Sequence, residues 1–443
     1  MCLGPGTGKT MAGLSSTLPL VEDPHELARD QRHLPDRLVL WDETLRDGEQ
    51  MPGVHFSPAE KLAIAEKLSE VGIPLLNAGI PVVSPEEAES VHRLAHAGLK
   101  AKVLAAARTV PGDVEAVIRS GVDHIAIFVA ASQVHLRYKL KMTEDEVLAA
   151  SVAQVRRAHQ AGLHVAFVTE DTVRAPFPFV ERLYRACREA GADRLVVSDT
   201  VGIMTPSTFR AFLREFRRRV EPTDWSVHCH NDFGMATANT LTALEEGVQS
   251  PHVCVNGLGE RAGNTSLEEV VMSLEALYGY RTGIRTEALY ELSRLVEELS
   301  GIPIPPNKAL VGYNAFAHEA GIHSHGVLRH TLTYEPIQPE RVGRHRLFVL
   351  GKHTGKAAVV EKLKERRLEA TEAQLTSLLS RVKAEAERRG KGPSREFLGR
   401  YHALFENPGL DEEEFFSWAR EVGIHAGPEP ALLASPGAKG SGP

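Results

Sequence analysis

Cysteine, long apolar runs and an excess of basic charge are all missing from this chain, and each absence excludes something. Four cysteines occur in 443 residues, Cys2, Cys187, Cys229 and Cys254, and no two are spaced as a CxxC pair. Neither a disulfide framework nor a zinc knuckle is expected, and a reducing cytoplasmic compartment is. Hydrophobic residues make up 42% of the chain, yet no run approaches the roughly 20 apolar residues needed to span a bilayer. A soluble protein without membrane association is expected. Lys and Arg number 51 against 58 Asp and Glu, a formal net charge of −7. Nonspecific nucleic-acid binding relies on a basic surface that displaces phosphate counterions, so nucleic acid is excluded as a partner and small-molecule chemistry is expected.

Residues 1–36 lack the basic start and apolar core of a secretory signal and carry the stretch Val21-Glu22-Asp23-Pro24, so they read as an irregular extension. The segment Gly4–Thr10 mimics a phosphate-binding loop, but the motif needs glycine where Leu3 stands and a strand ahead of it. At the other end, Ala426–Pro443 is a Gly, Pro, Ser and Ala tail with nothing to bury, expected to be disordered.

Between these ends the sequence alternates. From residue 37 to about 282, short Val- and Ile-rich runs alternate with longer amphipathic segments about eight times, the pattern of a parallel (β/α)8 barrel of the TIM type. The expected strands are Leu38–Trp41, Leu75–Gly79, Lys102–Ala106, His124–Val129, Val165–Val168, Arg194–Ser198, Ser226–His230 and His252–Val255. Pro58–Val71 reads as a helix with Leu62, Ala65 and Leu68 on one face, and Glu144–Ala161 as another with Val147, Ala150 and Val155 among its apolar positions. Residues 283–360 lose the alternation and form a loop-rich accessory region, and residues 361–425 read as helical.

Chemistry on such barrels sits on the loops that follow the strands, so polar clusters there are site candidates. Four stand out: Asp42–Gln50 after the first strand, Glu170-Asp171-Thr172 with Arg174 after the fifth, His228–Asp232 at the seventh and Asn256–Asn264 after the eighth. His228 and His230 are two apart on a strand, so both imidazoles point to one face at the barrel mouth while Cys229 points away. Such a pair suits a divalent cation once a carboxylate joins it. Asp42 or Asp47 can supply that carboxylate, and the Asn264 side chain a further oxygen. Mixed nitrogen and oxygen ligation with room for substrate fits Mg, Mn or Zn at an open site. Ser266-Leu-Glu-Glu269 reads as a capping box opening the eighth helix.

Three of these segments, Arg46-Asp47-Gly48-Glu49-Gln50, His228-Cys-His-Asn-Asp-Phe-Gly-Met-Ala-Thr-Ala-Asn239 and Asn256-Gly-Leu-Gly-Glu-Arg-Ala-Gly-Asn264, resemble the signatures of the family of 2-isopropylmalate synthase, homocitrate synthase and 3-hydroxy-3-methylglutaryl-CoA lyase. The resemblance runs from about 37 to 405. It implies Asp47, His228, His230 and Asn264 as metal ligands, Arg46 beside the reacting oxygen, and acetyl-CoA as co-substrate. The segments Phe316–His325 and Thr333–Pro336 resemble the synthases' accessory region. There a His and a Tyr, here His323 and Tyr334, assist acetyl-CoA enolisation in the partner subunit's barrel, so a homodimer is implied. Glu170 completes the expected catalytic set. The lyase branch uses a cysteine in a C-terminal glycine-rich loop, and no cysteine follows Cys254, which favours a synthase. The region after 360 is too short for a leucine-sensing domain.

For the 2-oxo acid, Phe128–Lys141 resembles isopropylmalate synthases and Glu170–Arg174 resembles homocitrate synthases. Asn77 stands where relatives generally carry glutamate, which suggests a pocket relieved of negative charge. Arg108, Arg137 and Arg174 are placed to receive a distal anionic group, with Ser132 and Thr200 on the same rim. The expected function is therefore condensation of acetyl-CoA with a short dianionic acid, in the manner of phosphonomethylmalate or phosphinomethylmalate synthases, acting on phosphonopyruvate, phosphinopyruvate or oxaloacetate. Homocitrate synthase, 2-isopropylmalate synthase and a lyase are the alternatives, and a metal-dependent binding module is the non-enzyme rival.

Overall fold

The computed structural model describes residues 23–222, 224–390, 399–402 and 412–422. The phosphate-loop mimic, Cys2 and the Ala426–Pro443 tail lie outside the described residues, as does most of the N-terminal extension. Its described part carries a 3-10 helix, Pro24–Gln31. It is tied to the barrel through His33 N–H to the Glu245 carbonyl and the Tyr280 hydroxyl to the Pro35 carbonyl.

Eight parallel strands close into a barrel, each hydrogen-bonded to the next and the last to the first. They are β1 Trp41–Asp42, β2 Leu75–Asn77, β3 Lys102–Arg108, β4 His124–Ala130, β5 His164–Glu170, β6 Arg194–Asp199, β7 Trp225–Cys229 and β8 Ser250–Val253. Every expected strand is present, with shifted ends. β1 stops at Asp42 because the Glu43 carbonyl accepts the amides of Arg46, Asp47 and Gly48 and winds Thr44–Gly48 into a turn of π-helix. β8 stops before Val255 because Asn256 adopts φ 59° within a 3-10 turn.

The interleaved helices are α1 Pro58–Val71, α2 Pro85–Ala95, α3 Pro111–Ser120, α4 Glu144–Gln160, α5 Phe177–Glu189, α6 Pro206–Val220, α7 Ala236–Glu245 and α8 Leu267–Ala276. α1 starts on a Ser57/Glu60 capping box with Pro58 in its first turn and ends on Gly72 at φ 107°. Ala65 and Leu68 face the core as expected, but Leu62 is half-buried and Lys61 is fully buried in its place. The Ser266 capping box is not formed. The Ser266 hydroxyl donates to Glu268 Oε2 at 2.5 Å, and Glu269 instead accepts from Thr237 and Lys308. Local sequence allowed the cap, but neighbouring Glu268 takes the Ser266 hydroxyl and the tertiary partners Thr237 and Lys308 take Glu269.

The barrel interior is thinly filled. Its apolar cluster holds Trp41, Leu75, Leu104, Val196 and three alanines, Ala106, Ala126 and Ala166. Where bulky residues would normally fill the bore, these small ones leave space above and below the Trp41 indole. The larger core lies between strands and helices.

Beyond the barrel come α9 Leu289–Ser300, then β9 Ala317–His318 paired in parallel with β10 Leu347–Phe348, and between them α10 Gly321–Arg329. Helices α11 Lys356–Glu365 and α12 Glu372–Arg389 follow. The described residues up to Gly390 form one compact unit, and those from position 399 onward belong to another, which carries the helix Glu412–Glu421. Among the described residues no helix is long and apolar enough to cross a membrane.

Candidate metal centre and substrate cavity

At the C-terminal mouth of the barrel lies a cavity of about 270 Å3. Arg46 and Asp47 reach it from the π-helical turn after β1, His228 from β7, His230 from the residue after it, and His252 from β8. His228 Nε2 and His230 Nε2 stand 3.1 Å apart, and Asp47 Oδ2 lies 3.6 and 3.9 Å from them. The three offer converging ligand atoms, all within 4.8 Å of one another. Asp42, the other carboxylate considered, does not join them. Its oxygens accept the Thr44 amide at 3.0 Å and hydroxyl at 2.9 Å.

The protonation states suit a cation. Burial pushes the Asp47 carboxyl up, but the Arg46 guanidinium and the two imidazoles outweigh it and hold it well below the usual carboxylate range. Burial and the neighbouring His228 press His230 down to about 3, which keeps its ring neutral. A neutral His228 that turns Nε2 to a cation carries its proton on Nδ1, and His252 Nδ1 stands 3.2 Å away to accept it. Asn264 closes the cluster: its Nδ2 donates to Asp47 Oδ2 at 2.5 Å and to the Leu258 carbonyl, and its buried Oδ1 has no hydrogen-bond partner. The oxygen expected as a ligand is thus the atom left without a partner.

Arg46 is held on two sides. Its Nε donates to Glu43 Oε2 at 2.6 Å and its Nη1 to Asp47 Oδ1 at 2.7 Å. Asn77 lines the cavity, but its Nδ2 donates to both Glu43 oxygens at 3.1 Å. The pocket is therefore not relieved of negative charge at this wall, because the Glu43 carboxylate occupies it.

The expected rim residues divide. Glu170 and Thr200 line the cavity. Ser132 lies just behind, its hydroxyl 2.7 Å from His135 Nδ1, which also approaches Asp171 Oδ2 at 3.0 Å. Arg108, Arg137 and Arg174 do not line it. Arg108 turns back to Asp113, Arg174 to Asp171, and the Arg137 guanidinium lies over the Tyr138 ring. The cationic side chains lining the cavity are Arg46, Lys139 and Arg261, and the last two are paired with Glu170 and Asp232. The inner wall is apolar: Trp41, Ile80, Ala106, Ala126, Phe128 and Val168.

His323 and Tyr334 meet each other with ring centroids 4.1 Å apart, His323 on α10 and Tyr334 just after the 3-10 turn that follows it, and neither lines this chain's own cavity. Behind them Glu335 is clamped by Arg346 and accepts from His318 at 3.1 Å.

Sequence reasoning missed Glu43, His252 and Lys139. His252 carried a signal, an imidazole opening an otherwise apolar inner strand. Glu43 carried none beyond its place in the Asp42–Gln50 cluster.

The HMGL-like family model matches residues 37–296, and the homocitrate synthase post-HMGL domain-like model matches 310–390. The chain is 51% identical over 356 residues to homocitrate synthase AksA of Methanopyrus kandleri, covering 80% of this chain and 89% of that one. It is also 51% identical over 350 residues to a probable 2-isopropylmalate synthase of the same organism, covering 79% and 70%. Among solved structures, a hydroxymethylglutaryl-CoA lyase from Pseudomonas aeruginosa shares the fold at a TM-score of 0.55 and 24% identity, covering 61% of this chain and 95% of that one. The chain belongs to the family of homocitrate and 2-isopropylmalate synthases, acyltransferases that condense acetyl-CoA with a 2-oxo acid.

Proposed function

We propose that this protein condenses acetyl-CoA with a short 2-oxo acid and releases free CoA. The observation that carries the reading is the convergence of Asp47, His228 and His230 beside the Arg46 guanidinium at one barrel mouth. Asp47, His228 and His230, joined by the Asn264 oxygen, would hold a divalent Mg, Mn or Zn ion. When bound, that ion supplies Lewis acidity to the substrate's keto group. Arg46, charged at any working pH, offers its guanidinium to the oxyanion that develops as the acetyl carbon attacks. His323 and Tyr334, supplied by a second subunit, take the methyl proton of acetyl-CoA, and water then cleaves the thioester. The exposed apolar side chains of the accessory region support such docking: Ile322 is 79% and Tyr334 45% exposed, and Leu328, Leu347 and Leu350 are exposed as well.

For the distal end of the acid, Lys139 and Arg261 at the mouth, with the Thr200 and Ser198 hydroxyls, support a short anionic group such as that of oxaloacetate, phosphonopyruvate or phosphinopyruvate. The apolar inner wall of Ile80, Ala106, Ala126, Phe128 and Val168 favours a second reading, a small aliphatic acid such as pyruvate or 2-oxoisovalerate. Thiol release from acetyl-CoA, measured across these acids and 2-oxoglutarate, separates the readings. The highest kcat/KM is expected with a short dianionic acid. A clear preference for an aliphatic acid returns the site to the second reading, and ligand binding without thiol release from any acid overturns the enzyme reading.

A further inference from the structure

Glu43 is the most enclosed acid at the cavity wall: it is 1% exposed, and its carboxylate faces three side chains from three different strand ends. Arg46 Nε donates to Oε2 at 2.6 Å, Asn77 Nδ2 reaches both oxygens at 3.1 Å, and His252 Nδ1 lies 3.5 Å from Oε1. A buried carboxylate is costly unless its oxygens are satisfied, and the Arg46 and Asn77 donors satisfy it. The backbone of the same residue nucleates the π-helical turn that carries Arg46, since its carbonyl accepts the Arg46, Asp47 and Gly48 amides.

We infer that Glu43 is a positioning residue that aims Arg46 at the reacting oxygen, and that Asn77 serves the site by holding Glu43 rather than by touching substrate. A guanidinium has five donors in a rigid fork. Glu43 takes Nε and Asp47 takes Nη1, so the plane of the fork is fixed and the remaining Nη2 edge is left for a ligand oxygen. Glutamine at position 43 offers one acceptor oxygen where Arg46 Nε and Asn77 Nδ2 each demand one. Asparagine at 77 suits the task because its amide donates to both Glu43 oxygens while its own Oδ1 accepts the Gly79 amide at 3.2 Å, which locks the amide's orientation. A carboxylate at 77 would meet Glu43 as a like charge.

The inference rests on the role given to Arg46 above, and the experiment keeps the two apart. Glu43→Gln, Asn77→Ala, Arg46→Lys and the double variant Glu43→Gln/Arg46→Lys are assayed for thiol release and titrated with Mn2+ alone. Glu43→Gln should lower kcat at least tenfold and Asn77→Ala by a smaller factor, with KM for the oxo acid and Mn2+ affinity near the parental values, because the loss falls on the transition state. In the Arg46→Lys background Glu43→Gln should have little further effect. The Arg46 Nε–H resonance, identified by its loss in Arg46→Lys, should be slow to exchange with solvent in the parent and fast in Glu43→Gln and Asn77→Ala. That reading holds even where a variant is too slow to assay. An unchanged Arg46 Nε–H resonance in Glu43→Gln, or equal kcat losses in both backgrounds, overturns the positioning role. An Arg46→Lys enzyme with parental kcat instead overturns the role of Arg46 itself.

Discussion

Asp47 makes two hydrogen bonds and faces two rings: Oδ1 receives Arg46, Oδ2 receives Asn264, and Oδ2 also faces both imidazoles. Under the proposed function, removing it deletes a ligand and also releases Arg46. Asp47→Ala should therefore abolish Mn2+ binding and cost more than the roughly 10–100-fold that loss of an outer-shell partner costs a metal site. Because the change empties a rim position rather than core volume, the thermal transition should stay cooperative. A folded Asp47→Ala enzyme with parental turnover would sink the metal reading. At this scale the sequence was most informative where chemistry is local. The two-residue spacing of His228 and His230 on a strand already implied a shared face. The direction in which a rim arginine turns is not local information: Arg108 and Arg174 each found a carboxylate five or three residues away. Glu43, Asn77 and His252 meet only when three strand ends are brought together.

Lys61 links elements. It is 0% exposed on α1, and its ammonium reaches Glu49 of the loop after β1 and Glu87 of α2 at 2.6 Å each, besides the carbonyls of Leu45 and Ala78. Glu49 in turn accepts the Phe56 amide and Glu87 the Ile80 amide. One cation thus pins the loop that carries Arg46 and Asp47 to the loop that follows Asn77. Removing one partner of a buried ion cluster typically costs about 3–5 kcal/mol, mostly from the charges left behind. Lys61→Met should show a loss of that size in urea unfolding, and Lys61→Met with Glu87→Gln should recover part of it. An unchanged midpoint in Lys61→Met would refute the clamp. The helical period placed an apolar face on α1, and the structure puts Lys61 into that face in place of Leu62. No periodicity signals this, because a lysine at the edge of an apolar stripe normally turns its charge to water. The strands were legible because parallel strands buried on both faces read as apolar runs. Their ends were not, since a backbone turn at Glu43 and a positive φ at Asn256 set them.

For the whole molecule, the separation of His323 and Tyr334 from their own chain's cavity makes the site a two-subunit assembly under the proposed function. In a twofold dimer each barrel borrows the other's pair. Asp47→Ala and His323→Ala protomers, each inactive alone, should on mixing and exchange reach roughly a quarter of parental activity, since half of random dimers are mixed and each holds one intact site. Native mass spectrometry that shows mixed dimers without any return of activity would exclude the borrowed pair. The accessory region was legible as a loop-rich break in the alternation, but the closure of its sheet, β9 with β10 across about thirty residues, was not.

Trp41 lines both the mouth cavity and a second one of about 360 Å3 at the barrel's base, and among the described residues it is the side chain the two share. The Trp41 indole, tilted against the His252 ring with centroids 4.0 Å apart, stands between them. With Ala106, Ala126 and Ala166 beside it, Trp41 is the largest buried side chain of the interior cluster. The depth of the mouth cavity is thus bounded in part by one side chain. Under the proposed function, shortening residue 41 should deepen the mouth cavity toward the space beneath it and raise kcat/KM for longer-chain acids relative to short ones, which thiol release across a chain-length series measures.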